Sequence, residues 1–160
     1  MDDPWVVFAG EMAEEFFRNH RETMPEDPHA VWNVEEVVVF CLAASLAGAK
    51  FNWAASRRES FIARENQLLS DLYSHAKQGS GDEIVLLRDR LTEYDRLFSK
   101  GANSFFSAIT GSICKKAARA FVEHACKRYI YPEHMLVAGV DSWLVSKWRE
   151  MDKTVAWSAT

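Results

Sequence analysis

Proline and glycine are scarce in this sequence, which has four prolines and seven glycines among 160 residues. Folds rich in β-strands need many turns, and these two residues are the strongest markers of turns. Apolar residues make up 48% of the chain and aromatic residues 12%, which is typical of a folded globular protein. We therefore expect an all-α fold in a single domain that spans residues 1–160.

Cysteine is also rare, and the positions of the three cysteines exclude a disulfide framework. Cys41, Cys114 and Cys126 lie far apart in apolar segments, and no CxxC pair is present. We expect reduced thiols in a cytoplasmic protein. The first residues, MDDPWVVF, carry two acids and no basic residue, so we expect no secretory signal.

No apolar stretch is long enough to suggest a membrane-spanning helix. The most apolar stretch, VVVFCLAASLAGA, runs from Val37 to Ala49. As a helix it would measure roughly 20 Å, whereas the hydrocarbon core of a bilayer is about 30 Å thick. We interpret it as a buried helix and expect no contact with a membrane.

Motifs for metal ions and for phosphate-binding loops are missing as well. The sequence contains no HExxH and no HxxxH, the spacings that place metal ligands on one face of a helix. The segment QGSGDE lacks the lysine of a P-loop. We expect no metal site and no cofactor, and the sequence favours a protein without enzymatic activity.

Apolar periodicity predicts a bundle of about six helices. Pro4, after Asp3, is a typical first helical residue. Asn33 followed by Glu36 forms a capping box that begins a buried, apolar second helix. The third and fourth helices, joined by QGSGDE, predict an antiparallel hairpin.

The predicted second half has two further helices. Gly101 ends the fourth helix as a C′ glycine, and the fifth runs from about Asn103 to Arg128. Pro132 opens the sixth helix, after which residues 152–160 form a candidate tail. The inward face of the fifth helix is predicted to carry Phe106, Ile109, Ile113, Ala117 and Phe121.

Charge is distributed unevenly along the chain. Residues 1–40 hold ten acids and two basic residues, a net charge of −8, although the whole chain carries only −4. The fifth helix is basic. Such asymmetry favours an acidic N-terminal segment packed beside the basic helix, and the alternative is a polyanion-binding face. The candidate residues for that face are Lys115, Lys116, Arg119, Lys127 and Arg128.

Two segments combine arginine and histidine. Arg119 and His124 have the Arg-x4-His spacing, and Arg128 and His134 the Arg-x5-His spacing, which resembles the motif of the HEPN families. The resemblance implies an all-α bundle that binds RNA or cleaves it, with Arg and His acting across a dimer cleft. Histidine would move the proton of a 2′-hydroxyl while arginine stabilises phosphate charge.

Local packing is the explanation that we favour for His124. It lies on the flank of the apolar stripe of the fifth helix, three residues after Phe121. We therefore expect a half-buried histidine that is bonded to the backbone or to a carboxylate.

The C-terminal region is rich in tryptophan. Trp143 and Trp148 lie on the sixth helix, and Val155 and Trp157 follow it. Exposed aromatic side chains often anchor interfaces. We therefore interpret the chain as a helical protein–protein interaction module that associates with itself or another protein through these four residues. A nucleic-acid partner for the fifth helix is the alternative.

Overall fold

The computed structural model of the chain describes residues 4–23, 32–52, 55–76, 81–103, 114–126 and 133–154. These residues form six helices and no strand, so the prediction of an all-α bundle is confirmed. The helices are α1 (Pro4–Thr23), α2 (Val34–Asn52), α3 (Ala55–Ala76), α4 (Gly81–Asn103), α5 (Lys115–Ala125) and α6 (Glu133–Thr154).

The N-terminus of α2 has the predicted cap. The side-chain Oδ1 of Asn33 accepts a hydrogen bond from the backbone N–H of Glu36 at 3.0 Å. The carbonyl of Asn33 accepts the first intrahelical bond, from the N–H of Val37 at 3.1 Å. Asn33 thus satisfies one of the amide groups that a helix leaves without an intrahelical partner at its start.

The boundaries around α5 differ from the prediction. Gly101 does not end the fourth helix, which continues to Asn103, because a glycine inside a helix costs only about 1 kcal/mol. The next described helix begins at Lys115, and residues 104–113, including the predicted core residues Phe106, Ile109 and Ile113, lie outside the described residues.

The end of α5 is set by a contact with a distant part of the chain. The helix ends at Ala125, before the predicted Arg128, and Cys126 is extended with φ −99° and ψ 110°. Cys126 forms an isolated antiparallel bridge with Trp32, and the N–H of Asn33 donates to the carbonyl of Ala125 at 2.8 Å. These backbone pairs replace the helical bonds that would have continued α5.

Helix α2 lies at the centre of the bundle, as its apolar sequence predicts. Val37, Phe40 and Ala44 are fully buried, and the helix contacts all five other helices. It runs antiparallel to α1, since the hydroxyl of Ser45 donates to the carbonyl of Trp5 at 2.7 Å while the rings of Phe16 and Trp32 lie 4.9 Å apart.

A cluster of aromatic rings fills the core. The rings of Phe40 and Phe121 stack at 4.1 Å with an interplanar angle of 8°. Tyr94 of α4 lies 5.0 Å from Phe40, and Phe16 of α1 lies 5.5 Å from Phe121. Four helices therefore meet at one stacked pair, and aromatic contacts of this kind add to the free energy gained by burial.

Helices α3 and α4 face each other at the edge of the bundle. Residues 62–69 of α3 lie opposite residues 91–95 of α4, at similar chain distances from the connection between the helices. This is the predicted antiparallel hairpin. Leu68 and Leu69 attach α3 to a small second cluster of Trp5, Leu46 and Ala49, and the guanidinium of Arg64 lies 5.0 Å from the centre of the Trp5 ring.

The three cysteines are buried and form no disulfide, as expected from their spacing. Within the described ranges, no helix has both the length and the apolar character required to cross a membrane. The apolar residues of α2 are instead packed against the other helices.

We expect Phe121→Ala to lower the free energy of unfolding by about 3–5 kcal/mol, because it removes a fully buried ring and leaves a cavity. Urea unfolding followed by circular dichroism measures this loss. Val85→Ala, at a position that is 58% exposed on α4, is the control and should change stability by less than about 0.5 kcal/mol. Equal losses in both variants would contradict the assigned core.

Candidate functional site

Helix α5 presents a basic outer face. Its buried side carries Ala117, Phe121 and Val122, because the apolar residues recur at helical spacing. Lys115, Lys116 and Arg119 are exposed on the other side. The remaining two residues of the predicted polyanion-binding set, Lys127 and Arg128, lie outside the described residues.

The acidic residues of α1 do not neutralise this basic face in the part of the chain that the structure describes. Lys115, Lys116 and Arg119 form no salt bridge there, whereas Glu15 of α1 pairs with Lys147 of α6. Phe16 of α1 packs against Phe121 of α5, and the expected packing of the whole acidic N-terminal segment beside the basic helix stays a prediction, because residues 1–3 and 24–31 lie outside the described residues. The charge of Lys115 acts on the carboxyl of Asp141 on α6, and Glu123 is exposed on α5 as well, so the positive charge of this face is only partly offset.

His124 of α5 is half-buried and bonded to a carboxylate, as expected. Its Nε2 lies 3.0 Å from Oε2 of Glu93 on α4. Nη1 of Arg90 lies 3.7 Å from the same oxygen. Glu93 is therefore shared between a histidine and an arginine.

Arg90 extends this network to the centre of the bundle. Its Nε donates to both carboxylate oxygens of Glu36, at 3.0 and 3.1 Å. Glu36 is buried, and the pairing with Arg90 offsets the cost of burying its carboxylate. Beside it, the hydroxyl of Tyr94 is buried without a hydrogen-bond partner among the described residues, and burial, followed by the charge of Glu36, raises the pKa of Tyr94.

The side chains of Arg119 and His124 point in different directions. Arg119 is exposed, whereas His124 faces Glu93 of α4. Five residues of regular helix also separate their directions by about 140°. One chain therefore does not aim both side chains at one phosphate. Arg128 lies outside the described residues, and His134 lies on α6 with a side chain that is not described.

The two tryptophans of α6 contribute to contacts within the chain. Trp148 is buried, and its Nε1 donates to the carbonyl of Ala44 at 3.0 Å. Trp143 is half-buried, and its Nε1 donates to Oε1 of Glu15 at 3.2 Å. The ring of Trp148 is thus part of the core, and only Trp143 keeps partial exposure. The other two predicted interface residues, Val155 and Trp157, lie outside the described residues.

A buried lysine joins α1 to α6 beside Trp143. Lys147 pairs with Glu15, and its Nζ donates to Oε2 of Glu150 at 2.8 Å. Burial lowers the pKa of Lys147, but the bonds to the two carboxylates outweigh this effect and raise it overall. Lys147 therefore stays charged at neutral pH and holds the two helices together.

Helix α6 also has an uncharged outer face, which sequence reasoning missed. From residue 135 to residue 146, the exposed side chains are Met135, Ala138, Gly139, Ser142 and Ser146. Every helix exposes at least one charged side chain among its described residues, and in α6 these are Arg149 and Glu150, which follow this face of five uncharged residues. The spacing of these five residues is helical and was readable in the sequence, but the nearby tryptophans are the stronger signal for an interface.

The described residues hold no cluster of three or more histidine, cysteine, aspartate or glutamate side chains that could bind a metal ion.

Comparison of the chain with protein-family models found no match, and searches of curated proteins and of solved structures found no significant match.

We expect Arg90→Met to destabilise the protein by about 3 kcal/mol, because it leaves the buried charge of Glu36 without its partner. The double variant Glu36→Met/Arg90→Met should be more stable than Arg90→Met alone, since no buried charge is then left unpaired. Urea unfolding of the parent, of Arg90→Met, of Glu36→Met and of the double variant gives the coupling free energy between the two residues. A double variant as unstable as the sum of the single ones would show that the pair does not interact.

Proposed function

We propose that this chain is a non-enzymatic protein–protein interaction module that associates with a second copy of itself through α6 and the tail that follows. The observation that carries the proposal is the exposed, uncharged face of α6.

We also propose a cytoplasmic location, because buried cysteines without disulfides are typical of proteins in reducing compartments.

The composition of this face suits helix–helix packing. A helix face that remains in water usually carries charged residues, and this one is formed by Met135 and small residues over about 17 Å. Gly139 has open space around it, since an added Cβ would meet no atom within 4 Å. Small side chains allow a second helix to approach closely. In a two-fold dimer the same face would meet itself.

The size of a stable interface is the reason for including the tail. Stable protein–protein interfaces bury roughly 800 Å² on each partner. About three helical turns of small side chains supply less than this area. Val155 and Trp157, which follow α6, would add apolar surface to the same contact.

The reactive side chains of the described residues support a non-enzymatic role. Burial raises the pKa of Cys41 and of Cys114 to about 12, so both thiols are protonated at neutral pH and are poor nucleophiles. His124 is bonded to Glu93. These groups are used in packing and ion pairing.

We expect Ala138→Glu to weaken self-association at least tenfold, because a two-fold contact would bring two new carboxylates together. Sedimentation velocity over a range of protein concentrations measures the association constant. Ala63→Glu, the same substitution at an exposed position of α3, is the matched control and should associate like the parent.

Deletion of residues 152–160 should also shift the protein toward the monomer. A monomeric parent, or an unchanged mass in both α6 variants, would contradict the proposal.

A second candidate function is the binding of a polyanion such as RNA by α5. The observation that favours it is the exposure of Lys115, Lys116 and Arg119 without a salt bridge to any described residue. Phosphate contacts need a row of basic side chains of this kind and depend strongly on salt.

Fluorescence anisotropy of a labelled single-stranded RNA at low and moderate salt tests this function. We expect Lys116→Ala/Arg119→Ala to weaken binding and to reduce its salt dependence, whereas Arg88→Ala/Arg96→Ala on the exposed side of α4 should bind like the parent. RNA cleavage that is lost in His124→Ala or His134→Ala would favour the HEPN-like ribonuclease instead. An absence of binding at low salt would contradict both the polyanion-binding function and the ribonuclease function.

A further inference from the structure

We propose that the cavity between α2, α3 and α4 is a binding site for a small amphipathic ammonium ion. Its volume is about 390 Å³, within the range of sites for small molecules. It is distinct from the α6 face and from the basic face of α5, because its described lining comes from α2, α3 and α4 alone.

The chemistry of the cavity is divided into an apolar wall and a charged cluster. Leu46, Ile62, Leu69 and Leu91 are part of the wall. Ile62 is 41% exposed, whereas Leu46 and Leu91 are buried and Leu69 is partly buried. An occupant with a hydrocarbon body would cover this exposed apolar surface, and the gain would scale with the area removed from water.

Lys50 holds the charged cluster together. Its Nζ lies 2.8 Å from Oε1 of Glu65 and 3.0 Å from Oδ1 of Asp95. The cluster contains two carboxylates and one ammonium group, so its net charge is negative. The second oxygen of each carboxylate has no hydrogen-bond partner among the described residues.

Of the two acidic residues in the cluster, Glu65 is the one whose ionised form a further positive charge would stabilise more. It is only 7% exposed. Burial raises the pKa of this carboxyl even though the bond from Lys50 acts in the opposite direction. Its ionised form is therefore only partly compensated by its surroundings, and a second cation in the cavity would stabilise it.

The charge of the ligand follows from this arrangement. An anion would have to take Lys50 from both carboxylates and would leave Glu65 buried without a partner. A neutral molecule would leave the free carboxylate oxygens unused. A metal ion is disfavoured because the ammonium group of Lys50 lies between the two acids. An ammonium group on a short hydrocarbon chain uses both the free oxygens and the apolar wall.

Three probes of equal chain length test the proposal: hexylammonium, hexanol and hexanoate. Titration of the ¹⁵N-labelled protein, followed by amide chemical shifts, gives the affinity and the location of each. We expect hexylammonium to change the amide chemical shifts of residues of α2, α3 and α4. It should bind at least about fivefold more tightly than hexanol, which is the factor expected for a partly exposed ion pair. Hexanoate should bind least.

Two variants locate the contribution of charge. Asp95→Asn removes one carboxylate from the exposed rim of the cavity and should weaken hexylammonium binding about fivefold while leaving hexanol unchanged. Asp89→Asn, at an exposed position of the same helix outside the cavity, should bind like the parent. Equal affinity for hexylammonium and hexanol, or equal losses in the two variants, would overturn the proposal.

Discussion

The stack of Phe40 on Phe121 is the contact on which the rest of the bundle depends. It joins the central helix α2 to α5, and the rings around it bring in α1 through Phe16 and α4 through Tyr94. Flat rings at this distance leave little free space between helices, so the positions of all four are linked. The outer faces of α5 and α6 derive their orientation from this packing, because each helix exposes the side that the core does not use.

Buried charge surrounds this core in pairs, and each pair connects different helices. Glu36 and Arg90 join α2 to α4, Glu65 and Lys50 join α3 to α2, and Lys147 and Glu15 join α6 to α1. Such pairs add little net stability over apolar residues of similar size, but an incorrect arrangement of the helices would leave a buried charge alone. They therefore favour one arrangement of the helices over others.

Local signals in the sequence predicted most of the fold. The cap at Asn33, the apolar run of α2 and the periodicity of the other helices depend on neighbouring residues, so the amino-acid sequence alone indicates them. The end of α5 could not be predicted in this way, because a backbone pair with Trp32 sets it, and no pattern within α5 indicates that partner.

Partners that are distant along the chain also limited what could be predicted of the candidate site. The half-burial of His124 follows from its place beside the apolar stripe, but its bond to Glu93 depends on how α4 packs against α5. The tryptophan signal did not reveal that Trp148 donates to a carbonyl of α2. The cavity around Lys50 needs three helices at once, and its residues have no recognisable spacing in the sequence.

The bond between the N–H of Asn33 and the carbonyl of Ala125 has a consequence for how the chain folds. It joins the positive end of the α2 dipole to the negative end of the α5 dipole, so the two helix ends stabilise each other. These ends are more than half the chain apart in sequence. During synthesis the most apolar helix therefore emerges long before α5, and it must remain without that partner, and without the ring of Phe121, until most of the protein has been made.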